Sequence, residues 1–518
     1  MYERAGFLAD NADVPALRAA IAKLAALGYS ESGISNCLGL QDLAGLQWRL
    51  VSIYRSELLA GREPLALAID LFLLQGALPP DELDRLFVTS EIQVLFRAGL
   101  LAIDQSGWAR ARASLFPFGD RLFFSDHAWP HLPHPGYVTV PSDQVMWIGL
   151  DSRHLAYCTS RRPFRNALDL CTGSGIHALL ASAHAERVLA VDINPRAACC
   201  TRFNAAVSGA ANLEVVVADL FERAGGERFD LITANPPFVP SPLNSLGFRD
   251  GGRSGEDILK RIVAGLPQHL APGGIAQIIT ELGERDDEPL VLRLRQWLDG
   301  AAMDIHILRV GEHEAMKYAT RHAKGDNFEV FLASVHEWAS NLLAQGYRRV
   351  VSLVISFRWS DPKSGPPWDL DEQSPPPHRA AGPEIDAFFE AQHVARQSDW
   401  LTLKNSWLSR AGPIALLDAR VLGGNIRAKA KATLLGQALT IEHHLDPVER
   451  EILDRMDGPI QASGLIAICR DPDADEPIIE AALRSLLRRR LVVIHHPKND
   501  VTTPFTVAAR QNQDIAEP

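Results

Sequence analysis

The chain predicts an α/β fold built on a doubly wound parallel sheet, and three observations between Ala167 and Pro240 carry that prediction. Branched apolar runs at Ala167–Cys171, Val188–Val191, Leu213–Val217 and Phe229–Ala234 alternate with helix-like segments, as strands do when helices cover a sheet. A Gly-rich turn follows the first run and an acidic residue ends the second. Asn235-Pro236-Pro237-Phe238 follows the fourth. Ligands in such sheets bind beyond the carboxyl ends of the strands, where all three features fall, so the stretch describes one site.

Length and composition frame this core. The 518 residues exceed what one hydrophobic core supports, which predicts two to four domains. A formal charge of −11 argues against a globally cationic nucleic-acid binder. Six cysteines lie scattered without a CxxC pair, which disfavours a zinc knuckle or a disulfide framework and predicts reduced thiols. The first twenty residues lack a basic segment leading into an apolar core. The apolar run Leu65–Leu78 carries Asp70. The expectation is a soluble, cytoplasmic protein without a membrane or metal partner.

In chain order, residues 1–130 read as an N-terminal helical, winged-helix-like domain. It has a helical face at Leu17, Ile21, Leu24 and Leu27, a helix–turn–helix pattern from Leu65, and an extended pair around Arg121–Phe124. No basic recognition helix is visible there, which favours a structural cap over nucleic-acid docking. The turn-rich joint His131–Gly136 opens the segment 131–360, and Ser142–Thr159 stands just before the first strand, where it could fold over a bound cofactor. A helix at Asp257–Leu270, a turn at Pro272–Gly274 and a fifth strand at Ile275–Thr280 continue the sheet. Asp304–Val310 and Val350–Phe357 complete seven strands around a helical insertion, Glu329–Gln345. Residues 361–383, proline-rich and acidic, read as a linker or exposed loop. Residues 384–518 read as an α+β domain with a winged-helix-like end. Its helix Ile478–Leu491 carries Arg484, Arg488, Arg489 and Arg490, read as a solvated face. The pairs His443-His444 and His495-His496 and the thiols Cys199-Cys200 receive no ligand or catalytic role, and His177 reads as solvent-facing.

The chemistry sits in the opening stretch. Gly173-Ser174-Gly175-Ile176-His177-Ala178 matches G-x-G-x-x-G/A. Asp192, which can accept from both ribose hydroxyls, follows at the spacing that NAD or any adenosine cofactor would use. Asp169 inside the first strand would repel a pyrophosphate but suits a cationic amino-acid moiety, directly or through water. Asp219 after the third strand could accept from an adenine amino group. The Asn235 side-chain oxygen and the Pro236 carbonyl could together accept both hydrogens of a planar –NH2 group. The two prolines would fix the turn, and Phe238 would offer an apolar face. As an isolated tetrapeptide this is an ordinary strand-ending turn; after three cofactor features in order it reads as an amine clamp.

Asp-Leu-Cys-Thr-Gly-Ser-Gly, Val-Asp-Ile-Asn, Ala-Asp-Leu and Asn-Pro-Pro-Phe, in that order, resemble the class I S-adenosylmethionine-dependent methyltransferases that methylate amino groups. This Rossmann-like small-domain branch includes release-factor glutamine and ribosomal-RNA base methyltransferases. The resemblance spans roughly Tyr137 to Leu282. It implies S-adenosyl-L-methionine as cofactor, with Asp169, Thr172, Gly173 and Gly175 at its methionine end. Asp192 and Ile193 would take the ribose, Asp219 and Leu220 the adenine, and Asn235, Pro236, Pro237 and Phe238 the target nitrogen. The expected activity is N-methylation of a protein or RNA acceptor. Phe238, where the glutamine enzymes usually carry Tyr, is common among the RNA enzymes. The acidic chain and Gly251-Gly252-Arg253-Ser254-Gly255, similar to a segment of the glutamine enzymes, favour protein glutamine. The alternatives are RNA base methylation (adenine N6 or guanine N2), a catalytically inactive interaction protein and, more distantly, a NAD-linked oxidoreductase.

Overall fold

The computed structural model describes residues 6–7, 13–127, 141–243, 246–419, 429–468 and 472–495. The His131–Gly136 joint lies outside them. The chain divides into two compact units, residues 1–362 with 366–385, and residues 363–365 with 386–518.

The first unit holds the predicted sheet. Its strands are β1 (Phe164–Leu170), β2 (Ala185–Asp192), β3 (Leu213–Val217), β4 (Phe229–Ala234), β5 (Leu270–Glu284), β6 (Met303–Glu314), β7 (Arg349–Trp359) and β8 (Asp369–Gln373). They lie in the order β8-β6-β7-β5-β4-β1-β2-β3. Strands β1 to β5 pair in parallel, β7 runs antiparallel to β5 and β6, and β8 pairs in parallel with β6. The strand order reverses at β1, the switch point at which an open α/β sheet leaves a crevice.

The structure departs from the sequence reading at the edge of the sheet, at the end of β1 and in the insertion before β7. β8 lies inside the acidic segment 361–383, so the sheet has eight strands rather than seven. An edge strand needs little apolar surface, and here Trp368 and Glu372 are buried while their neighbours face solvent. β1 ends at Leu170, because Cys171 turns to φ +55°. The insertion before β7 comprises two helices rather than one.

The helices of this part are α1 (Leu150–Cys158), α2 (Ile176–Ala181), α3 (Pro195–Ser208), α4 (Asp257–His269), α5 (Leu290–Trp297), α6 (Ala315–His322) and α7 (Phe328–Ala344). Side chains alternate across a strand. Leu168, Leu170, Leu189, Val191, Ile232 and Ala234 therefore share one core with Leu259, Ile262 and Leu266 of α4 and Leu294 of α5. Asp169 points to the opposite face. Over that face, Phe203 of α3 joins the N-terminal core with Leu17, Tyr29, Phe72, Phe87 and Phe124. Asn204 extends the join by donating to the carbonyl of Phe124 at 2.8 Å.

In the N-terminal part, helix Pro64–Phe72 leads to strand Ala77–Leu78, helices Pro80–Leu86 and Thr89–Arg97, and a hairpin, Leu101–Ile103 with Ala109–Ala111. The strand Ala77–Leu78 pairs with Ala109–Ala111. Arg121–Ser125 pairs with Ser114–Phe118 in a separate hairpin.

The second unit carries a sheet with Trp407–Arg410 between Ile460–Gln461 and Val492–His495. Another sheet is formed by Ile414–Ala419, Lys429–Leu434 and Glu442–Leu445. Its last described helix begins at Pro472, earlier than expected, and ends at Arg488. Arg484 donates to Glu480 and to the carbonyl of Ala395, and Arg489 donates to Glu449, so these cations are bonded within the unit. His443 is buried and its neighbour His444 exposed, as strand alternation requires.

Candidate active site

Three turns converge beyond the carboxyl ends of β1, β2 and β4. In the first, the Gly175 N–H bonds the Thr172 carbonyl at 2.8 Å. Gly173 and Gly175 adopt φ +58° and +84°, a region open to glycine. A Cβ at Gly175 would meet Cγ2 of Thr201 at 2.7 Å, so α3 can approach the turn only with glycine there.

Asp169 is only 1% exposed. Oδ2 accepts from the Thr172 hydroxyl (2.6 Å) and the Ala178 N–H (3.2 Å), and Oδ1 accepts from the Thr233 hydroxyl (2.7 Å). Burial pushes its carboxyl up to about 7, against the lowering effect of these bonds. The carboxylate is thus bonded to the turn through the Thr172 hydroxyl.

Asp192 ends β2. Oδ2 accepts from the Gly173 N–H (2.8 Å) and Oδ1 from the Asn194 N–H (2.9 Å), so one carboxylate joins the Gly-rich turn to the start of α3. Burial raises its pKa. Ile193 beside it leaves 68% of its surface in solvent, an apolar side chain at the rim of the crevice. After β3, Leu220 is held at φ +48° and Oδ2 of Asp219 accepts from Arg261 of α4 at 2.8 Å. The adjoining Phe221 ring stacks on His269 at 4.4 Å and lies against Gly265. Left-handed conformations at Cys171 and Leu220 cost on the order of 1–3 kcal/mol each, and such strain concentrates at ligand sites.

After β4, Asn235 Nδ2 donates to Asp151 Oδ2 (3.0 Å) and to Ser152 Oγ (3.2 Å), both in the first turn of α1. A carboxylate only accepts, so this partner decides which end of the amide faces it and turns the Asn235 oxygen the other way. Pro236 is buried, and Pro237 and Phe238 are half-buried. The N–H groups of Phe238 and Val239 bond the Arg249 carbonyl at 3.1 and 2.9 Å, and the Gly251 N–H returns to the Val239 carbonyl at 3.0 Å. A Cβ on Gly251 would stand 2.7 Å from the Pro237 oxygen, and one on Gly255 would run into the Phe238 oxygen. The glycines singled out in the sequence thus form a clasp on the proline turn.

The segment before α1 crosses the crevice. The Asp143 carbonyl accepts from Asn194 Nδ2 at 3.0 Å, and the Trp147 ring meets Phe248 edge-on at 6.5 Å. His177, read as solvent-facing, is buried because α1 and α3 close over α2, and burial lowers its pKa to about 3. Sequence reasoning missed Asp151, Ser152, Thr233 and Arg261. Only Asp-Ser at a helix start was a visible signal, and it reads as an ordinary cap. Among the described residues, no group of three or more His, Cys, Asp or Glu is placed to hold a metal ion, and no helix is long and apolar enough to cross a membrane.

The sequence model of the methyltransferase small domain matches residues 148–290, and that of a domain of unknown function (DUF7059) matches residues 26–113. The ribosomal protein uL3 glutamine methyltransferase of Xanthomonas campestris is 31% identical over 29% of this chain and 51% of its own length. The release factor glutamine methyltransferase of Cereibacter sphaeroides is 37% identical over 23% of this chain and 48% of its own. Methyltransferase HEMK2 of Mus musculus is 34% identical over 22% and 58%. The chain thus spans about half the length of these curated relatives. Among solved structures, ribosomal protein L11 methylase of Lactobacillus delbrueckii is similar over 40% of this chain and 77% of its own, at 19% identity and a TM-score of 0.24. Sheet order, ordered motifs and the match across the site agree: residues 148–290 are a methyltransferase small domain of the class I S-adenosylmethionine-dependent kind.

Proposed function

We propose that the chain is a cytoplasmic N-methyltransferase that transfers a methyl group to the side-chain amide of a protein glutamine. The observation that carries this reading is the orientation of Asn235, whose amide nitrogen is committed to Asp151 and Ser152 so that its oxygen is left to accept.

The residues present fit S-adenosylmethionine. A Cβ at Gly173 would meet only the Cys171 carbonyl oxygen, at 4.0 Å. The Asp192 carboxylate, with the exposed Ile193 at its side, suits a ribose and the apolar edge of a base. Asp219 and Leu220, after β3, would take the adenine, and Asp169 with Thr172 would set the turn for the methionine end. When bound, the cofactor supplies an electrophilic methyl group.

The chain's own residues hold the acceptor. Asn235 Oδ1 and the Pro236 carbonyl accept the two hydrogens of a planar –NH2, Pro237 keeps the turn rigid, and Phe238 lies along the amide plane. Rate then comes from positioning and from a polarised nitrogen, without a strong general base. The names of the relatives support glutamine over an RNA base. The helix–strand–helix–helix–hairpin order of the N-terminal part supports a winged-helix-like module in a bracing role, since Glu91 and Arg97 leave helix Thr89–Arg97 without a basic face.

Incubation with methyl-labelled S-adenosylmethionine and cell lysate tests the proposal. Label should enter a protease-sensitive, ribonuclease-resistant fraction and be recovered as N5-methylglutamine. Ribonuclease-sensitive label would overturn the acceptor assignment.

A further inference from the structure

The two-helix insertion between β6 and β7 reaches both strands of the clasp. From α7, Asn341 Nδ2 donates to the Arg253 carbonyl at 2.9 Å and approaches the Pro240 carbonyl at 3.5 Å. Just beyond α7, the Tyr347 hydroxyl stands 3.0 Å from the Ser254 carbonyl and 2.8 Å from Glu256 Oε1. Glu256 in turn pairs with the buried Arg293 of α5. The Tyr347 ring lies flat on β5 at Gly283, where any Cβ would enter it. The oxygens these side chains hold lie on either side of Gly255 and at the end of the proline turn.

We propose that Asn341 and Tyr347 are positioning residues that set where the Asn235–Phe238 turn stands, an inference that rests on reading that turn as the acceptor site. The burial of Asn341 supports more than packing. The residue is 6% exposed and its Oδ1 has no hydrogen-bond partner among the described residues. An orphaned buried acceptor is destabilising, a cost that a leucine of similar size would avoid. The placement is explained if the donor end is needed at the clasp. Tyr347 links the clasp to the central sheet, so the turn inherits the rigidity of β5.

The test uses the full chain with Asn341→Leu, which keeps the volume, and Tyr347→Phe, which keeps the ring. Backbone hydrogen–deuterium exchange is followed at Val239, Ser241 and Gly251, cofactor binding by calorimetry with S-adenosylmethionine, and transfer as label entering lysate protein. The expected result is exchange faster by about tenfold or more at those three amides, unchanged in β1 and β2, with a matching loss of transfer and an unchanged cofactor Kd. Unchanged exchange at those amides in both variants would overturn the proposal. Asn235→Ala separates it from the reading of the site. That variant should lose transfer with exchange unaltered, and if it kept transfer the acceptor reading would fail while the exchange data still judged the brace.

Discussion

Asp151 and Asn235 stand 84 residues apart in the chain and meet at 3.0 Å, the carboxylate of one accepting from the amide nitrogen of the other. A side-chain amide is nearly symmetric in shape, and only its neighbours distinguish the oxygen end from the nitrogen end. Here the first turn of α1 makes that distinction. Asp151→Ala should let Asn235 rotate and lower turnover on the order of tenfold through lost orientation, with the cofactor Kd unchanged. Asp151→Asn, which can still present an oxygen, should recover much of the rate. Equal loss in the two variants would show that shape rather than polarity matters.

Asn235 and Asp192 should separate chemistry from binding. Asn235→Ala is expected to retain cofactor affinity and lose transfer by about 100-fold or more, the scale of removing a donor or acceptor that polarises a reacting group. Asp192→Ala is expected to weaken cofactor binding, both through the lost acceptor and because Gly173 loses its anchor. Calorimetry and single-turnover transfer, measured side by side, check both. Normal turnover by Asn235→Ala would refute the amine clamp.

Stability should carry the mark of Asp169. Its folded carboxyl is held near 7 by burial, above the unfolded value of about 3.9. Between these values the folded state binds more protons than the unfolded state, so this group's contribution falls as pH rises through the window and is flat above it. The slope is about 1.4 kcal/mol for each pH unit. Asp192 is shifted in the same direction. Denaturant midpoints of the native chain minus those of Asp169→Asn, taken from acid to neutral pH, should decline. A rising difference would mean that the carboxylate is stabilised, not penalised, by its site.

Gly255→Ala tests the clasp against a matched control. Gly255 has φ +79° and its Cβ would strike the Phe238 carbonyl, whereas Gly225, at φ +56°, has nothing within 4 Å. Both alanines carry the left-handed strain of about 1–2 kcal/mol. Only Gly255→Ala should also displace the turn, losing transfer while keeping cofactor affinity. Equal activity in the two variants would show that the clasp does not hold the turn.

Much of this was legible in the sequence because burial leaves a pattern. Strands covered on both faces read as branched apolar runs, which exposed β1, β2, β4 and β5, while the edge strand β3 carried the same branched signature without being buried; the turns after β1, β2 and β4 were marked by glycine, aspartate and proline. β8 escaped because an edge strand rich in acidic residues shares its composition with a loop. Asp151, Ser152 and Thr233 escaped for another reason. Each does its work through a hydrogen bond to a residue remote in sequence, and a hydrogen bond leaves no periodicity. Asp169 was half visible: the carboxylate was found, but the two threonine hydroxyls that bond it became apparent only in three dimensions.

The glycine clasp also bears on how such a site could change its target over time. The turn that presents Asn235 is gripped by main-chain carbonyls and N–H groups of residues 249–255, and those groups are the same whatever side chains stand nearby. Chemistry and recognition are therefore separable in heredity. On the proposed reading, a change in a side chain beside this turn leaves its main-chain grip in place, provided that Gly251 and Gly255 stay glycine.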